Sequence, residues 1–214
     1  MLVQQIVNYR RLKMKVDIQD VLFWMDAIRN SEDRYRTLES FWKGQINSKI
    51  WLIKGLEETL PWNPVAANIV IHGGWNGVLA SLLFNTDMGI TKIISVDVDP
   101  TCEEIARTIN KRQEMEGRFI AVTADMCKYK YDADIVINTS CEHITQEQYE
   151  EWLSNVPNDA WIVIQSNDYF ELDEHIRCSV DIDDFTRMSK IKPFYRGEFE
   201  TLKYTRYMII GRKK

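Results

Sequence analysis

The chain has 214 residues, of which 45% are hydrophobic and 28% are charged, with a net charge of −5. These proportions are typical of a globular protein and exclude a disordered chain, a fibre and a low-complexity scaffold. No apolar run reaches the roughly 18 residues of a membrane span, and the first residues do not resemble a signal peptide. The four cysteines form no CxxC or CxxxC pair, which argues against a zinc ribbon and a disulfide framework and favours a reducing, cytoplasmic location.

The distribution of charge narrows the possible partners. Residues 63–185 carry 8 basic and 22 acidic side chains, whereas residues 186–214 carry 9 basic and 2 acidic ones. A protein that wraps duplex nucleic acid usually has a basic stripe across its main domain. We therefore expect neither duplex nucleic acid nor a membrane as partner; the oligomeric state stays open. The basic C-terminal segment is either a solvated strand end or a contact for a phosphate.

The first 62 residues are predicted to form a helical N-terminal cap. Apolar residues recur at helical spacing from Ile18, with Asp17 as N-cap, and again around Tyr35 up to a stop near Gly44. A third helix is predicted from Ser48 to the proline at position 61. Four tryptophans lie in this segment, and they either attach the helices to the main domain or line a substrate pocket: Trp24, Trp42, Trp51 and Trp62.

Residues 63–214 are predicted to form one α/β domain of seven strands, with helices on both faces of the sheet. Five short apolar runs alternate with helical segments, which is typical of a parallel sheet covered on both faces. These runs cover residues 68–72, 92–97, 118–123, 134–138 and 160–165. Residues 192–200 and 203–211 then form two β-rich runs with a tight connection, which predicts a hairpin that adds an antiparallel strand.

A glycine-rich turn and an acidic residue point to a nucleoside ligand. Gly73, Gly74 and Gly77 fall between the first strand and its helix, where a tight turn brings backbone close to a ligand. Asp97 ends the second strand, where a carboxylate can bind ribose hydroxyls. The dinucleotide pattern GxGxxG and the phosphate-binding pattern GxxxxGK[ST] are both absent, which favours a nucleoside without a phosphate bridge. S-adenosylmethionine (SAM) is the common one.

On these residues the segment 63–214 resembles the class I SAM-dependent methyltransferases, which have a Rossmann-like sheet. Gly73 and Gly77 agree with the family's glycine motif, whereas Ile71 replaces a frequent acid and Trp75 a frequent glycine. The chain looks most like small methyltransferase-like proteins of tailed phages, which would place it in the host cytoplasm. The resemblance implies that Asp97 binds the ribose and Asp125 the adenine. The implied cofactor-binding residues are His72, Gly73, Gly74, Trp75, Gly77, Asp97, Val98, Asp125, Met126 and Asn138.

The resemblance also implies an enzyme that methylates a small or medium polar, or nucleotide-like, acceptor. Methyl transfer requires alignment of the acceptor and, for many acceptors, removal of a proton. We expect His143 to act as general base, with Glu142 or Asn138 orienting the acceptor. Asn167 and Asp168, after the fifth strand, are the second choice. Three residues before the third helix either reach over the cofactor or serve as a helix cap and a solvated lysine: Gln45, Ser48 and Lys49.

Alternatives remain at this point. The same pocket could serve aminopropyl transfer or SAM cleavage, or the chain could be a binding module without catalysis, as Ile71 and Trp75 favour. No metal is expected, although His72, His143 and His175 could in principle form a three-ligand site. Asn138 is not followed by the Pro-Pro-aromatic sequence of DNA amino-methyltransferases. Cys141 lacks the preceding proline of cytosine-C5 enzymes, so we interpret it as a buried structural thiol.

Overall fold

A computed structural model describes residues 14–60 and 67–214. Its strands are β1 (Ala67–His72), β2 (Ile90–Asp97), β3 (Phe119–Thr123), β4 (Ile135–Asn138), β5 (Trp161–Asn167), β6 (Ile191–Glu200) and β7 (Thr205–Lys213). Its helices are α1 (Ile18–Asn30), α2 (Arg34–Glu39), α3 (Lys43–Thr59), α4 (Val78–Phe84), α5 (Thr101–Ile109), α6 (Lys111–Met115), α7 (Gln146–Asn155) and α8 (Ile182–Ser189). A 3-10 turn covers Cys141–His143.

The seven strands form one sheet in the order β3-β2-β1-β4-β5-β7-β6. The first five strands are parallel, and β7 pairs antiparallel with both β5 and β6. The predicted fold class, a mostly parallel sheet with a C-terminal antiparallel hairpin, is confirmed. The parallel strands are apolar runs because helices bury them on both sides: one core lies under α3, α4 and α5, and the other under α7 and α8.

The N-terminal helices differ from the prediction at two boundaries. α2 ends at Glu39 rather than near Gly44, and α3 begins at Lys43 rather than at Ser48. The backbone N–H groups of Phe41 and Trp42 close a turn on the carbonyls of Leu38 and Glu39, and the helix restarts directly afterwards. Gly44 thus lies inside the first turn of α3. The predicted boundary loop at residues 61–64, with Trp62, lies outside the described residues, so the division at residue 62 stays a prediction.

Asp20, a carboxylate with no exposed surface, links α1 to α6 and to the end of α4. Arg112 binds it with two nitrogens at 2.9 and 2.7 Å, and Asn85 donates a further hydrogen bond at 2.8 Å. Burial opposes ionisation of Asp20, but the hydrogen bonds from Arg112, Asn85 and Gln113 outweigh it, so the pKa of Asp20 lies below its usual value. Because α1 leads directly to α2 and α3, this ion pair helps to position those two helices.

No helix within the described ranges is both long enough and apolar enough to cross a membrane.

We predict that Asp20→Asn lowers the free energy of unfolding by about 3 kcal/mol, because it removes one partner of a buried ion pair. The measurement is urea denaturation at pH 7. Since the pKa of Asp20 is lowered in the folded state, its contribution is present above the unfolded-state pKa near 3.8 and is lost as the pH falls through the folded-state value. The loss caused by the substitution should therefore shrink in acid.

The matched control is Asp26→Asn, which changes an exposed carboxylate on the same helix. It should change the free energy of unfolding by less than about 0.5 kcal/mol. Equal stability of the two variants at pH 7 would contradict the anchoring role of Asp20.

Candidate functional site

A cavity of about 820 Å³ opens at the carboxyl ends of the parallel strands. It lies where β1 pairs with β2 on one side and with β4 on the other, so that the connections leave β1 in opposite directions. Ligands of open α/β sheets bind at this kind of switch point. The volume is within the range of about 300–1,000 Å³ that is usual for small-molecule sites.

The structure brings most of the predicted site residues to this cavity. Those that line it are Gly73, Gly74, Trp75, Asp97, Val98, Asp125, Met126, Glu142, His143, Gln45, Ser48 and Lys49. The predicted residues that do not line it are His72, Gly77, Asn138, Asn167 and Asp168.

The loop after β1 is forced close to β2. The Gly74 N–H donates to the carbonyl of Val96 at 3.1 Å. A Cβ added at Gly74 would lie 2.0 Å from Oγ of Ser95, and one at Gly73 would lie 2.6 Å from Oγ of Ser140. The two glycines are therefore required by close approach, and Gly73 also has a φ of 61°.

Trp75 follows the glycines and joins the loop to Asp97. Its φ of 47° lies in the left-handed region that favours glycine. A tryptophan at this position therefore has a strained backbone, whereas a glycine would not. The Trp75 N–H donates to Oδ2 of Asp97 at 2.7 Å, and Asp99 N–H donates to Oδ1 at 3.0 Å. A carboxylate has about four lone-pair sites, so Asp97 keeps acceptor capacity on the cavity side.

Asn76 is a buried polar residue at the same loop. Its side chain is 1% exposed and lines the cavity, yet neither its Oδ1 nor its Nδ2 has a hydrogen-bond partner within the described part of the chain. Buried amides are nearly always paired in folded proteins. This side chain is therefore suited to pair with the polar groups of a bound molecule.

Asp97, at the end of β2, and Asp125, after β3, together form an acidic wall of the cavity. Asp125 accepts a hydrogen bond from Cys127 N–H at 2.9 Å, and Lys128 lies 3.2 Å away. The hydrogen bond from Cys127 and the charge of Lys128 hold the pKa of Asp125 below its usual value, so the carboxylate is ionised at neutral pH.

The opposite wall of the cavity carries both positive and negative groups. Glu142, on the 3-10 turn, is 2% exposed and accepts a hydrogen bond from Asn167 at 2.8 Å, with Arg206 at 3.5 Å. Lys49 donates to Gln45 at 2.8 Å. Burial, together with the positive charge of Arg206, lowers the pKa of Lys49 to about 7. Lys49 is thus partly neutral at physiological pH, and a bound anion would favour its charged form.

The three residues that were predicted to precede the third helix lie inside α3. Gln45, Ser48 and Lys49 occupy its first two turns, and Ser48 is buried against Gln165 at 3.3 Å. Neither a helix cap nor a fully solvated lysine describes these positions, because the helix starts earlier than the sequence pattern indicated.

The three histidines are divided between two environments. His72 has no exposed surface; its Nδ1 accepts from the Trp152 indole N–H at 2.9 Å, and burial lowers its pKa to about 3. The three-histidine site is therefore not formed. His143 and His175, in contrast, lie with ring centroids 4.8 Å apart.

The other predicted residues outside the cavity have supporting positions. Asn138 pairs with Ser140 N–H at 3.0 Å, and Asp168 accepts from Thr205 N–H at 2.7 Å. Asn167 holds Glu142, as described above. The carbonyl of Gly77 accepts from the amide of Asn110 at 3.1 Å. Polar residues at the end of a strand can thus face either the cavity or the packing beneath it.

Sequence reasoning missed Arg36, Gln165 and Arg206, which all line the cavity. Gln165 carries a signal, since it is a polar residue at the end of an otherwise apolar strand. Arg36 and Arg206 come from α2 and from the hairpin, and nothing in their local sequence shows that they reach the cavity. Arg36 binds Asp99 at 2.6 Å and so connects α2 to the loop after β2.

Cys141 is a buried thiol with no exposed surface. Burial raises its pKa to about 12, so the thiolate form that a nucleophile requires is not available at neutral pH.

We predict that Gly74→Ala destabilises the loop by about 1–3 kcal/mol, the usual cost of overpacking, because its Cβ would overlap Oγ of Ser95. Thermal unfolding and calorimetric titration with S-adenosylhomocysteine measure the effect. The double variant Gly74→Ala/Ser95→Ala removes the overlapping oxygen and should recover most of the stability.

Gly44→Ala serves as the control, because the nearest side-chain atom to its Cβ is 3.6 Å away. Alanine is also the better helix former, so this variant should be neutral or stabilised. If Gly74→Ala behaves like Gly44→Ala, the close approach of the loop to β2 is refuted.

Comparison with known proteins identifies the fold. No protein-family model matches the chain, and no curated protein matches it either. Among solved structures, N-methyltransferase NodS from Bradyrhizobium japonicum WM9 in complex with S-adenosyl-L-homocysteine is similar with a TM-score of 0.63 and 11% identity, covering 89% of this chain and 98% of that chain. None of these similarities supports a closer relation to phage proteins.

Two further structures show the same likeness. Geranyl diphosphate C-methyltransferase from Streptomyces coelicolor A3(2) has a TM-score of 0.61 and 9% identity, covering 79% of this chain and 76% of that chain. A mutant of MtNAS in complex with S-adenosylmethionine has a TM-score of 0.54 and 16% identity, covering 91% of this chain and 72% of that chain. At these identities the likeness concerns the fold: this chain has the Rossmann-like fold of SAM-dependent methyltransferases.

Proposed function

We propose that this protein binds SAM in the cavity and transfers its methyl group to a small or medium polar acceptor. The observation that carries the proposal is the junction of the glycine loop with Asp97, through the 2.7 Å bond from Trp75 N–H. It puts close-packed backbone and a carboxylate at one edge of a cavity of suitable size. The fold shared with methyltransferases supports the same ligand.

The acidic side of the cavity suits the adenosine. Asp97 retains lone pairs for the ribose hydroxyls after its two backbone bonds are counted. Asp125 and Met126 line the next part of the wall, at the end of β3, where the adenine would lie. The Asn76 amide, which has no hydrogen-bond partner among the described residues, would bind polar groups of the methionine portion.

The opposite side suits a polar acceptor. This part of the cavity is lined by five polar or charged residues: Glu142, His143, Arg206, Lys49 and Gln165. Covering so many charged and amide groups with an apolar molecule would be costly. The first two turns of α3 contribute to it, so α3 would take part in acceptor recognition.

Chemically, the sulfonium already activates the methyl group, and the protein has to align the acceptor and accept its proton. Glu142 and His143, which both line the cavity, would receive this proton. Nδ1 of His143 lies 3.2 Å from the carbonyl of Glu174. A carbonyl only accepts, so Nδ1 carries a hydrogen, and in the neutral imidazole Nε2 has the lone pair that a base requires.

We predict that Asp97→Ala raises the Kd for S-adenosylhomocysteine by about 100-fold or more, since each hydrogen bond to a charged group contributes about 1.5–3 kcal/mol. Isothermal titration calorimetry measures the change. Asp97→Asn keeps an acceptor for Trp75 N–H and should give an intermediate affinity.

The control is Asp159→Asn, an exposed residue before β5 at the far end of the sheet. Its affinity should equal that of the parent protein. Unchanged affinity of Asp97→Ala would remove Asp97 from the site and with it the proposed function.

We predict that His143→Ala lowers turnover by about 100- to 10,000-fold, which is the loss usual for a general base. Binding of S-adenosylhomocysteine should stay within twofold of that of the parent protein. Because His143 is exposed, the variant should fold normally. The assay detects labelled methyl groups from SAM in pooled small polar metabolites, and Glu147→Gln, exposed on α7, is the control.

Product analysis separates the remaining alternatives. Methyl transfer leaves S-adenosylhomocysteine, whereas aminopropyl transfer leaves methylthioadenosine. Tight SAM binding with neither product would favour a binding module, a role for which the strained backbone of Trp75 is the supporting observation.

A further inference from the structure

We propose that Glu142, His143 and His175 form a binding site for a divalent transition-metal ion at the edge of the cavity. One ligand atom from each of the three residues lies within 4.8 Å of the others. The proposal goes beyond the proposed function, because binding of an ion by these residues requires no SAM. It also departs from the expectation from sequence that no metal is involved.

The hydrogen bonds of both imidazoles fix the tautomer that a ligand needs. Nδ1 of His143 lies 3.2 Å from the carbonyl of Glu174, and Nδ1 of His175 lies 3.0 Å from the carbonyl of Tyr169. Both carbonyls can only accept, so each Nδ1 carries a hydrogen, and in the neutral imidazole each Nε2 then has a lone pair for a ligand bond. An imidazole that donates its second N–H to a backbone carbonyl is the usual outer support of a metal-binding histidine.

Glu142 supplies a buried carboxylate oxygen to the site. Its side chain has almost no exposed surface, and Oε1 accepts from Asn167 and faces Arg206. Oε2 is buried and has no hydrogen-bond partner within the described part of the chain. A buried carboxylate oxygen left unpaired is costly, and a cation at this position would remove that cost.

The geometry requires a small adjustment. A tetrahedral Zn²⁺ with ligand distances of about 2.0–2.2 Å holds its ligand atoms about 3.3–3.5 Å apart, so atoms up to 4.8 Å apart would have to approach by up to about 1.5 Å. Side-chain rotation can provide this, because His143 is exposed and His175 is half-buried on a loop. The exposed ring of His143 also gives the ion a route from solvent.

The donor set indicates the class of ion. Two imidazoles and one carboxylate suit Zn²⁺ and related transition metals, whereas Mg²⁺ and Ca²⁺ prefer oxygen ligands. Three protein ligands leave at least one coordination position open. Because Glu142 and His143 line the cavity, that position would face the acceptor.

The ion would change how the acceptor is activated. It would use the lone pair that His143 needs as a base, so the two roles exclude each other in the same molecule. In the metal-loaded protein the ion would bind an oxygen of the acceptor and make its proton easier to lose.

The test is titration of chelator-treated protein with Zn²⁺, followed by calorimetry, and with Co²⁺, followed by absorption. We expect one ion per chain. The Co²⁺ spectrum should show ligand-field bands without a thiolate charge-transfer band, because the four cysteines are buried and take no part. His175→Ala and Glu142→Gln should each weaken binding by about 100-fold or more, beyond the roughly 10–100-fold usual for loss of an outer-shell partner.

Two controls make the result decisive. Glu171→Gln changes an exposed carboxylate on the same loop as His175 and should bind Zn²⁺ like the parent protein. The affinity of His175→Ala for S-adenosylhomocysteine should be unchanged, so failure of the metal site is distinguishable from failure of the cofactor site. No binding of Zn²⁺ or Co²⁺, or equal binding by the parent and His175→Ala, would overturn the proposal and leave the two histidines as a ring contact only.

Discussion

The close contact between the loop after β1 and the end of β2 is the constraint on which the rest of the site depends. The Gly74 N–H bonds to Val96, and the Trp75 N–H bonds to Asp97, one residue farther along. These two bonds require a loop without a side chain at Gly74, since Ser95 occupies the space that a Cβ would take. They also hold Asp97 at the cavity edge, where its remaining lone pairs are available to a ligand.

Around this contact the cavity has two chemically different sides. Asp97 and Asp125 form an acidic wall at the ends of β2 and β3, and both can accept hydrogen bonds from a nucleoside. The wall formed by the 3-10 turn, α3 and β7 combines a buried carboxylate with Lys49 and Arg206. The ion pair of Asp20 with Arg112 matters to this second wall, because it fixes the start of the helical segment that continues into α3.

Predictions from the sequence succeeded where a local pattern has a local cause. Apolar runs became parallel strands because each is buried on both faces, and the glycines near residue 75 became a tight turn because close approach excludes a Cβ. Predictions from the sequence failed where the position of a side chain depends on packing against residues distant in the sequence, or where a helix boundary is set by the surrounding chain. His72 ends an apolar strand and looked like a cavity residue, but Trp152 and Tyr131 enclose it on the other face. Gly44 looked like a helix stop, but the chain resumes helical structure around it.

The sequence by itself therefore determined the order and kind of the elements, the turn after β1 and the carboxylate that follows β2. These depend on hydrophobic periodicity and on the steric demands of single residues, which neighbouring positions reveal. The tertiary structure decided which side chains meet in space. Arg206 from the hairpin reaches Glu142, and His175 from the loop after β5 lies beside His143. Such pairs join residues 32 to 64 positions apart, and only the packing of the whole sheet brings them within contact distance.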